Sequence, residues 1–339
     1  MKKLIKISII TCAVLVLICL GVILKLSGKF KPGIKYSRVS NAIYLQRSWI
    51  MKEKDNAKLK DLVYFLKEME IKYIYIHHTP FDSNGKLPEL SETATRKLIS
   101  YLNKNYSELK ILIWVGGIQT FDKESDKGTF LLRDPDYRNT VVSEIKNIIT
   151  EFNFDGVHLN IEPIKNHDPD FLKLLEKLKK NIPEGKLLSI AAFKPYFIRN
   201  PEGIYWDSKY YKKIAQYCDQ MVVMAYDTNL SHKISYLLYL KYTVRKVLLA
   251  MKSLDNPPEI LIGVPAYHPK DKHAAKVENL ENSIRATAAI ITSLKSSEVF
   301  SGIAIYSLWR LDQEEVNDYF QMWIAANPVI FKNLEGLRE

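Results

Sequence analysis

Three polar side chains spaced two apart, His158, Asn160 and Glu162, lie in the run Phe154-Asp155-Gly156-Val157-His158-Leu159-Asn160-Ile161-Glu162-Pro163. In an extended segment alternate side chains share a face, so these three point one way and Val157, Leu159 and Ile161 the other. A strand inside a parallel sheet is expected to be apolar on both faces. An imidazole, an amide and a carboxylate placed there cost free energy unless they have partners or a task. A terminal carboxylate with an amide beside it suits general acid–base work. Further candidates close other strand-like runs: Trp114 with Gly116-Gly117, Phe193, Tyr226 with Asp227, Tyr267, and Trp309 with Arg310. Aromatic faces suit the apolar faces of sugar rings, and acids suit a glycosidic oxygen.

Those residues need a scaffold, and the pattern supplies one. Strand-like runs fall at 41–46, 71–78, 110–117, 156–162, 186–193, 220–227, 259–267 and 301–309. Between them lie helical patterns at 56–70, 91–106, 136–151, 169–181, 207–217, 234–253, 278–295 and 312–325. Leu59, Leu62, Val63, Leu66 and Met69 repeat at spacings of three and four, a helix face. Asp136, Asp207 and Asp312 are read as N-caps. Eight βα units predict a (β/α)8 barrel over residues 39–330, with a C-terminal tail at 331–339. A doubly wound open sheet, the main alternative, more often has fewer strands. In such a barrel the strand C-termini carry the site.

The chain has 339 residues, 47% apolar and 26% charged, enough for a large core and ordinary for a globular protein. Its formal charge of +11 is unevenly placed. Lys2, Lys3, Lys6, Lys25, Lys29, Lys31 and Lys35 sit in the first 35 residues, which hold no acid. Without them 42 basic groups face 38 acidic ones. The basicity therefore flanks the apolar stretch Ile7 to Leu24, where it would meet lipid headgroups. Eighteen residues at helical rise span about 27 Å, close to a bilayer core. Residues 1–26 are read as a single-pass membrane anchor, in contact with lipid through 4–26, and 27–38 as a basic stalk. A cleaved signal peptide is the alternative, but no good small-x-small site follows. The barrel is expected outside the cell membrane, although the lysines after the span do not themselves dictate that orientation.

Several function classes lose support. No zinc-finger spacing or dense Arg/aromatic block points to nucleic acid. His77 and His78 are potential metal ligands, but consecutive strand residues face opposite ways and no His or acidic run completes a site. Gly116-Gly117 lacks the rest of a phosphate loop. Past the anchor only Cys218 remains, so the domain has no internal disulfide. No cofactor is called for.

The residues resemble the family 18 glycoside hydrolases, the chitinases and endo-β-N-acetylglucosaminidases, whose fourth strand carries Asp-Gly-x-Asp-x-Asp-x-Glu. Here that segment reads Asp155-Gly156-Val157-His158-Leu159-Asn160-Ile161-Glu162. Trp114-Val115-Gly116-Gly117 is similar to the family's Ser-x-Gly-Gly on strand three, with Trp in place of Ser. Met224-Ala225-Tyr226-Asp227 matches Met-x-Tyr-Asp on strand six, and Gly263-Val264-Pro265 matches Gly-x-Pro on strand seven. Trp309 stands where the family keeps a tryptophan under the sugar.

The resemblance implies a retaining reaction in which Glu162 is the acid and the substrate's own acetamide is the nucleophile, an exception to the two-carboxylate rule. It implies that Asn160 and Tyr226 position the acetamide, Asp227 assists, and Trp309 floors the sugar subsite. His158, Trp114, Tyr267 and Arg310 complete the expected sugar-binding set. Two aspartates of the family motif are His158 and Asn160 here. Asn160 gives an Asn-x-Glu arrangement that resembles the family 85 endo-β-N-acetylglucosaminidases, and an amide still hydrogen-bonds an acetamide. His158 is expected either to bond Asn160 or to fill the barrel. A second glycosidase pattern, adjacent Asn-Glu-Pro with a nucleophilic Glu ending strand seven, does not fit. Asn160-Ile161-Glu162-Pro163 is one residue too long, and Glu259 opens its strand. The partner expected is a polysaccharide. A non-catalytic glycan-binding barrel and an envelope scaffold are the rival readings.

Overall fold

The computed structural model describes residues 40–119, 128–196, 202–267, 274–294 and 298–338. Eight strands close into a parallel barrel: β1 (Asn41–Leu45), β2 (Ile71–Pro80), β3 (Lys110–Ile118), β4 (Gly156–Glu162), β5 (Leu187–Ala192), β6 (Gln220–Met224), β7 (Glu259–Pro265) and β8 (Phe300–Tyr306). β1 pairs with β8 to shut the ring. This is the (β/α)8 barrel expected from the alternation of elements.

Helices return the chain along the outside. They are α1 (Ser48–Met51), α2 (Asn56–Glu68), α3 (Glu92–Asn105), α4 (Pro135–Phe152), α5 (Pro169–Asn181), α6 (Ser208–Ile214), α7 (Lys233–Met251), α8 (Leu280–Leu294), α9 (Gln313–Tyr319) and α10 (Leu334–Arg338). A π-helical turn, Phe320–Ile324, extends α9. Side chains of Asp207 and Asp312 cap α6 and α9 as expected. α4 corrects one cap: Asp134, not Asp136, accepts the first amides. Pro135 occupies the first helical position, where its missing N–H is harmless, and this moves the start upstream.

Strand ends correct others. The run at 220–227 stops being a strand at Met224, because Asp227 and Asn229 take φ of 54° and 58° and turn the chain. β8 ends at Tyr306, leaving Trp309 in the following turn. Residues 331–338 are not a loose tail: Leu334 and Leu337 are buried, and Phe331 packs on Phe65 with ring centroids 4.9 Å apart. The membrane anchor expected at 1–26 and the basic stalk expected at 27–38 lie outside the described residues. No described helix is long and apolar enough to cross a membrane.

Most of the core lies between strands and helices, where Ile74, Ile76, Ile111, Ile113, Val157 and Leu159 face Leu62, Leu98, Ile145 and Leu174. The barrel interior is different. Ala42, Tyr44, Tyr73, Tyr75, Leu112, Val222, Leu261 and Ala304 form a smaller inner cluster, with Trp114 and Trp309 packed against it. Asp155, beside the entry to β4, accepts the Ile111 amide at 2.9 Å and Lys110 at 3.2 Å, an anchoring role.

Candidate active site

β4 stacks its polar face in layers. His158 is fully buried, while Asn160 and Glu162 are partly exposed towards the strand's C-terminal end. The register sets Trp114 of β3 beside His158 and Gly116 beside Asn160. At Gly116 an added Cβ would fall 1.6 Å from the Asn160 carbonyl oxygen, so only glycine fits.

Glu162 stands between two cavities. One, of about 480 Å³, is lined by His77, Trp114, Gly116, Asn160, Glu162 and Phe193 among others. The other, of about 340 Å³, takes in Glu162, Phe193, Lys194, Tyr205, Tyr226 and Asp227. A carboxyl between two such spaces is placed to reach a bond that spans them. Burial raises its pKa; the Asn160 amide and Lys194 oppose that, and Asp227 reinforces it. Raising a carboxyl by burial is how a barrel keeps an acid protonated for catalysis.

Asn160 is oriented by its neighbour. Its Nδ2 donates to Glu162 Oε1 at 2.8 Å, which directs the amide oxygen away from the carboxyl. That Oδ1 is buried and accepts no hydrogen bond. A buried acceptor left open beside an acid is costly unless a ligand donor fills it.

Tyr226 and Asp227 occupy the sharp turn after β6. Left-handed backbone at non-glycine residues costs free energy and persists only when surroundings hold it. Here Lys194 Nζ donates to the carbonyls of Tyr226 at 2.6 Å and Asp227 at 3.0 Å. From the other side the Glu278 carboxylate accepts the Thr228 amide at 2.9 Å and also its hydroxyl. The Tyr267 hydroxyl donates to the Asp227 carboxylate. Tyr267 therefore acts behind Asp227 and does not line either cavity. Burial lowers the Lys194 pKa, opposed by Asp227, Glu278 and Glu162. Neither Lys194 nor Glu278 stood out in the sequence, since the turn they hold is distant from both. Replacing Lys194 with Met should cut turnover by roughly tenfold to a hundredfold through misplacement of Tyr226 and Asp227. Steady-state kinetics with a thermal melt separate that loss from unfolding.

Aromatic rings form the floor. Tyr226 stacks on Tyr306 at 5.2 Å, and Tyr306 meets Tyr44 and Trp309 edge-on. Trp114 sits edge-on to Tyr44 and lines the larger cavity. Tyr44 and Tyr306 were missed from sequence, although both end a period-two pattern on the inner face. Trp309 rests on Tyr306 but lines neither of the two cavities, and Arg310 is exposed. His77 packs on Trp114 at 4.5 Å. Among the described residues no group of three His, Cys, Asp or Glu side chains is placed to hold a metal.

His158 does not bond Asn160. Its Nε2 meets the Tyr44 hydroxyl at 2.9 Å and its Nδ1 the Ser189 hydroxyl at 2.8 Å, and its ring stacks on Tyr75. With no exposed surface it cannot touch a sugar as expected of a binding residue. Burial pushes its pKa down to about 3, and burial with the nearby Arg47 charge pushes His78 down to about 4. Both histidines stay neutral in the fold and take up a proton on unfolding below about pH 6.5. Their stabilisation is present above that pH and is lost as pH falls towards the folded values. In chemical denaturation each histidine should contribute a loss of about 1.4 kcal/mol per pH unit as pH falls from about 6.5 towards its folded value, against opposite contributions from Glu315 and Asp318, whose carboxyls burial raises to about 8 and about 6. Replacing His78 with Leu should remove one such increment from the slope.

An eight-stranded parallel barrel gathers its chemistry at the strand C-termini, and an acid ending β4 between two cavities suits glycoside cleavage. The chain belongs to glycosyl hydrolases family 18, whose model matches residues 46–327. The cortical fragment-lytic enzyme of Bacillus anthracis is 24% identical over 196 residues, 57% of this chain. That match spans 44% of the relative, less than half its length. The spore cortex-lytic enzyme SleL of Bacillus cereus superposes with a TM-score of 0.57 at 16% identity, covering 86% of this chain and 75% of that one. A chitinase from Rhizomucor miehei gives a TM-score of 0.55 at 15% identity, covering 88% of this chain and 100% of its own. At these identities the structural likeness speaks for the fold.

Proposed function

We propose that this protein is a membrane-anchored hydrolase of the cell envelope that cleaves β-linked N-acetylhexosamine glycans with substrate assistance and retention of configuration. The open Asn160 Oδ1 beside Glu162 carries this reading. A sugar acetamide offers an N–H for that oxygen. Its carbonyl oxygen is then free to attack the anomeric carbon as protonated Glu162 gives its proton to the departing glycosidic oxygen. The Tyr226 hydroxyl serves as donor to the acetamide oxygen, and Asp227 supports the charge that develops. The resulting oxazolinium is opened by water, whose proton returns to the Glu162 carboxylate. Acceptor and acid thus meet the same sugar from one strand.

The names of the relatives, cortex-lytic and chitinolytic, favour an envelope or chitin-like polysaccharide. The apolar stretch from Ile7 to Leu24 favours attachment to the membrane, with the barrel outside. An N-acetylglucosamine oligosaccharide tests the chemistry. The β-anomer should appear first in the proton NMR spectrum of the products, and an oxazoline-type inhibitor should stop its release. Binding without turnover would instead favour a glycan-binding barrel that has lost its chemistry with the two family aspartates.

A further inference from the structure

His158 belongs to a hydrogen-bonded chain that continues far below the site. Ser189 Oγ donates to Gln220 Oε1 at 2.7 Å, and the Tyr75 hydroxyl donates to the same oxygen at 2.6 Å. Gln220 Nε2 donates to Glu259 Oε2 at 3.1 Å. Glu259 opens β7, at the barrel end opposite the site, where Lys72 lies 3.6 Å from its other oxygen and Ser40 donates to it at 3.3 Å. His158, Ser189 and Gln220 are buried.

The direction of every bond follows from one end. A carboxylate only accepts, so the Gln220 amide must turn its nitrogen to Glu259. Its oxygen then faces Ser189 and Tyr75, and both hydroxyls must donate to it. A flipped amide would set its oxygen against a carboxylate. Ser189 has one hydrogen and has spent it on Gln220, so its oxygen can only accept from His158. The imidazole proton therefore resides on Nδ1, and Nε2 offers a lone pair to Tyr44. The Tyr44 hydrogen consequently points down, away from Glu162.

We infer that Glu259, at the far mouth of the barrel, is a positioning residue that fixes His158 as its Nδ1–H tautomer and Tyr44 as a donor to it, through Gln220 and Ser189. The order matters at the site because the opposite tautomer would release the Tyr44 hydrogen. A free phenol hydrogen beneath the site could then donate upward, where it would compete for the acceptors the acid and acetamide need. Tyr44 also touches Trp114 and Tyr306, so its orientation is shared by the aromatic floor.

The tautomer can be read without substrate, so this inference fails separately from the proposed reaction, on which only its kinetic arm rests. Isotope-labelled histidine NMR of the full chain, with the His158 signal located by its loss in His158→Asn, should show a protonated Nδ1 and a bare Nε2 at neutral pH. In Glu259→Gln the terminal group both donates and accepts, so a second tautomer should appear. Turnover of an N-acetylglucosamine oligosaccharide should then fall by roughly threefold to tenfold, the scale of one neutral hydrogen bond, with KM little changed. Ser189→Ala should release the tautomer in the same way by deleting the acceptor. A wild-type Nε2–H tautomer would overturn the inference. So would an unaltered single tautomer in Glu259→Gln, or a mixed one that leaves turnover at the wild-type level.

Discussion

Replacement of Glu162 by Gln is expected to abolish hydrolysis, lowering turnover by roughly a thousandfold or more while glycan binding and the melting temperature stay close to wild type. The substitution keeps shape and removes the one group between the two cavities that can both give a proton and take it back. The neighbouring Asn160 already donates to Oε1, and an amide at 162 can still accept through its own oxygen, so the local bond has a route to survive. The pH profile gives a second reading of the same residue. Glu162 must be protonated to start the reaction, and burial raises its pKa, so activity should fall on the alkaline side as pH rises through that value. Calorimetry with an oligosaccharide, alongside product analysis, checks both parts. Full activity in the variant would remove Glu162 from the chemistry.

The sequence exposed what repeats and hid what converges. Eight apolar runs separated by amphipathic ones are a local signal, and the closed barrel follows from their number and order. Glu162 was legible for the same reason, since period two placed it on the inner face at a strand end. The turn at Tyr226–Asn229 was not. Its left-handed residues are held by Lys194 and Glu278, 33 positions before Asp227 and 50 after Thr228, and no local pattern reports such a clamp. His158 illustrates a different limit. Its inward direction was correct, but its partners come from β1 and β5, and only register decides that Tyr44 and Ser189, not Asn160, take its two nitrogens. Ser189 and Gln220 are polar residues within apolar runs, a signal available in the sequence but ambiguous until their shared partner is known. The C-terminal helix was overlooked because five residues are too short for a periodic signal, although Leu334 and Leu337 are apolar at a spacing of three.

Asn160 should divide binding from chemistry more sharply than any other residue of the site. Asn160→Ala removes both the donor to Glu162 and the buried acceptor, and turnover is expected to fall by roughly a hundredfold to a thousandfold, as for other oriented groups that meet developing charge. Asn160→Asp restores the residue type that the family motif carries at this position. A carboxyl at that place would lie about as close to Glu162 as the amide does, 2.8 Å from Oε1, and two carboxyls so near hold one proton between them. Glu162 would keep its proton to higher pH, so the alkaline limb of the pH profile should move upward. The new charge would also face the oxazolinium, where the wild-type amide offers only a dipole, and turnover should equal or exceed that of the wild type. A pH–rate series on both variants with one oligosaccharide decides the matter. Wild-type activity in Asn160→Ala would show that the open oxygen beside Glu162 has no part in holding the acetamide, and an alkaline limb that moves downward in Asn160→Asp would show that the two carboxyls do not share a proton.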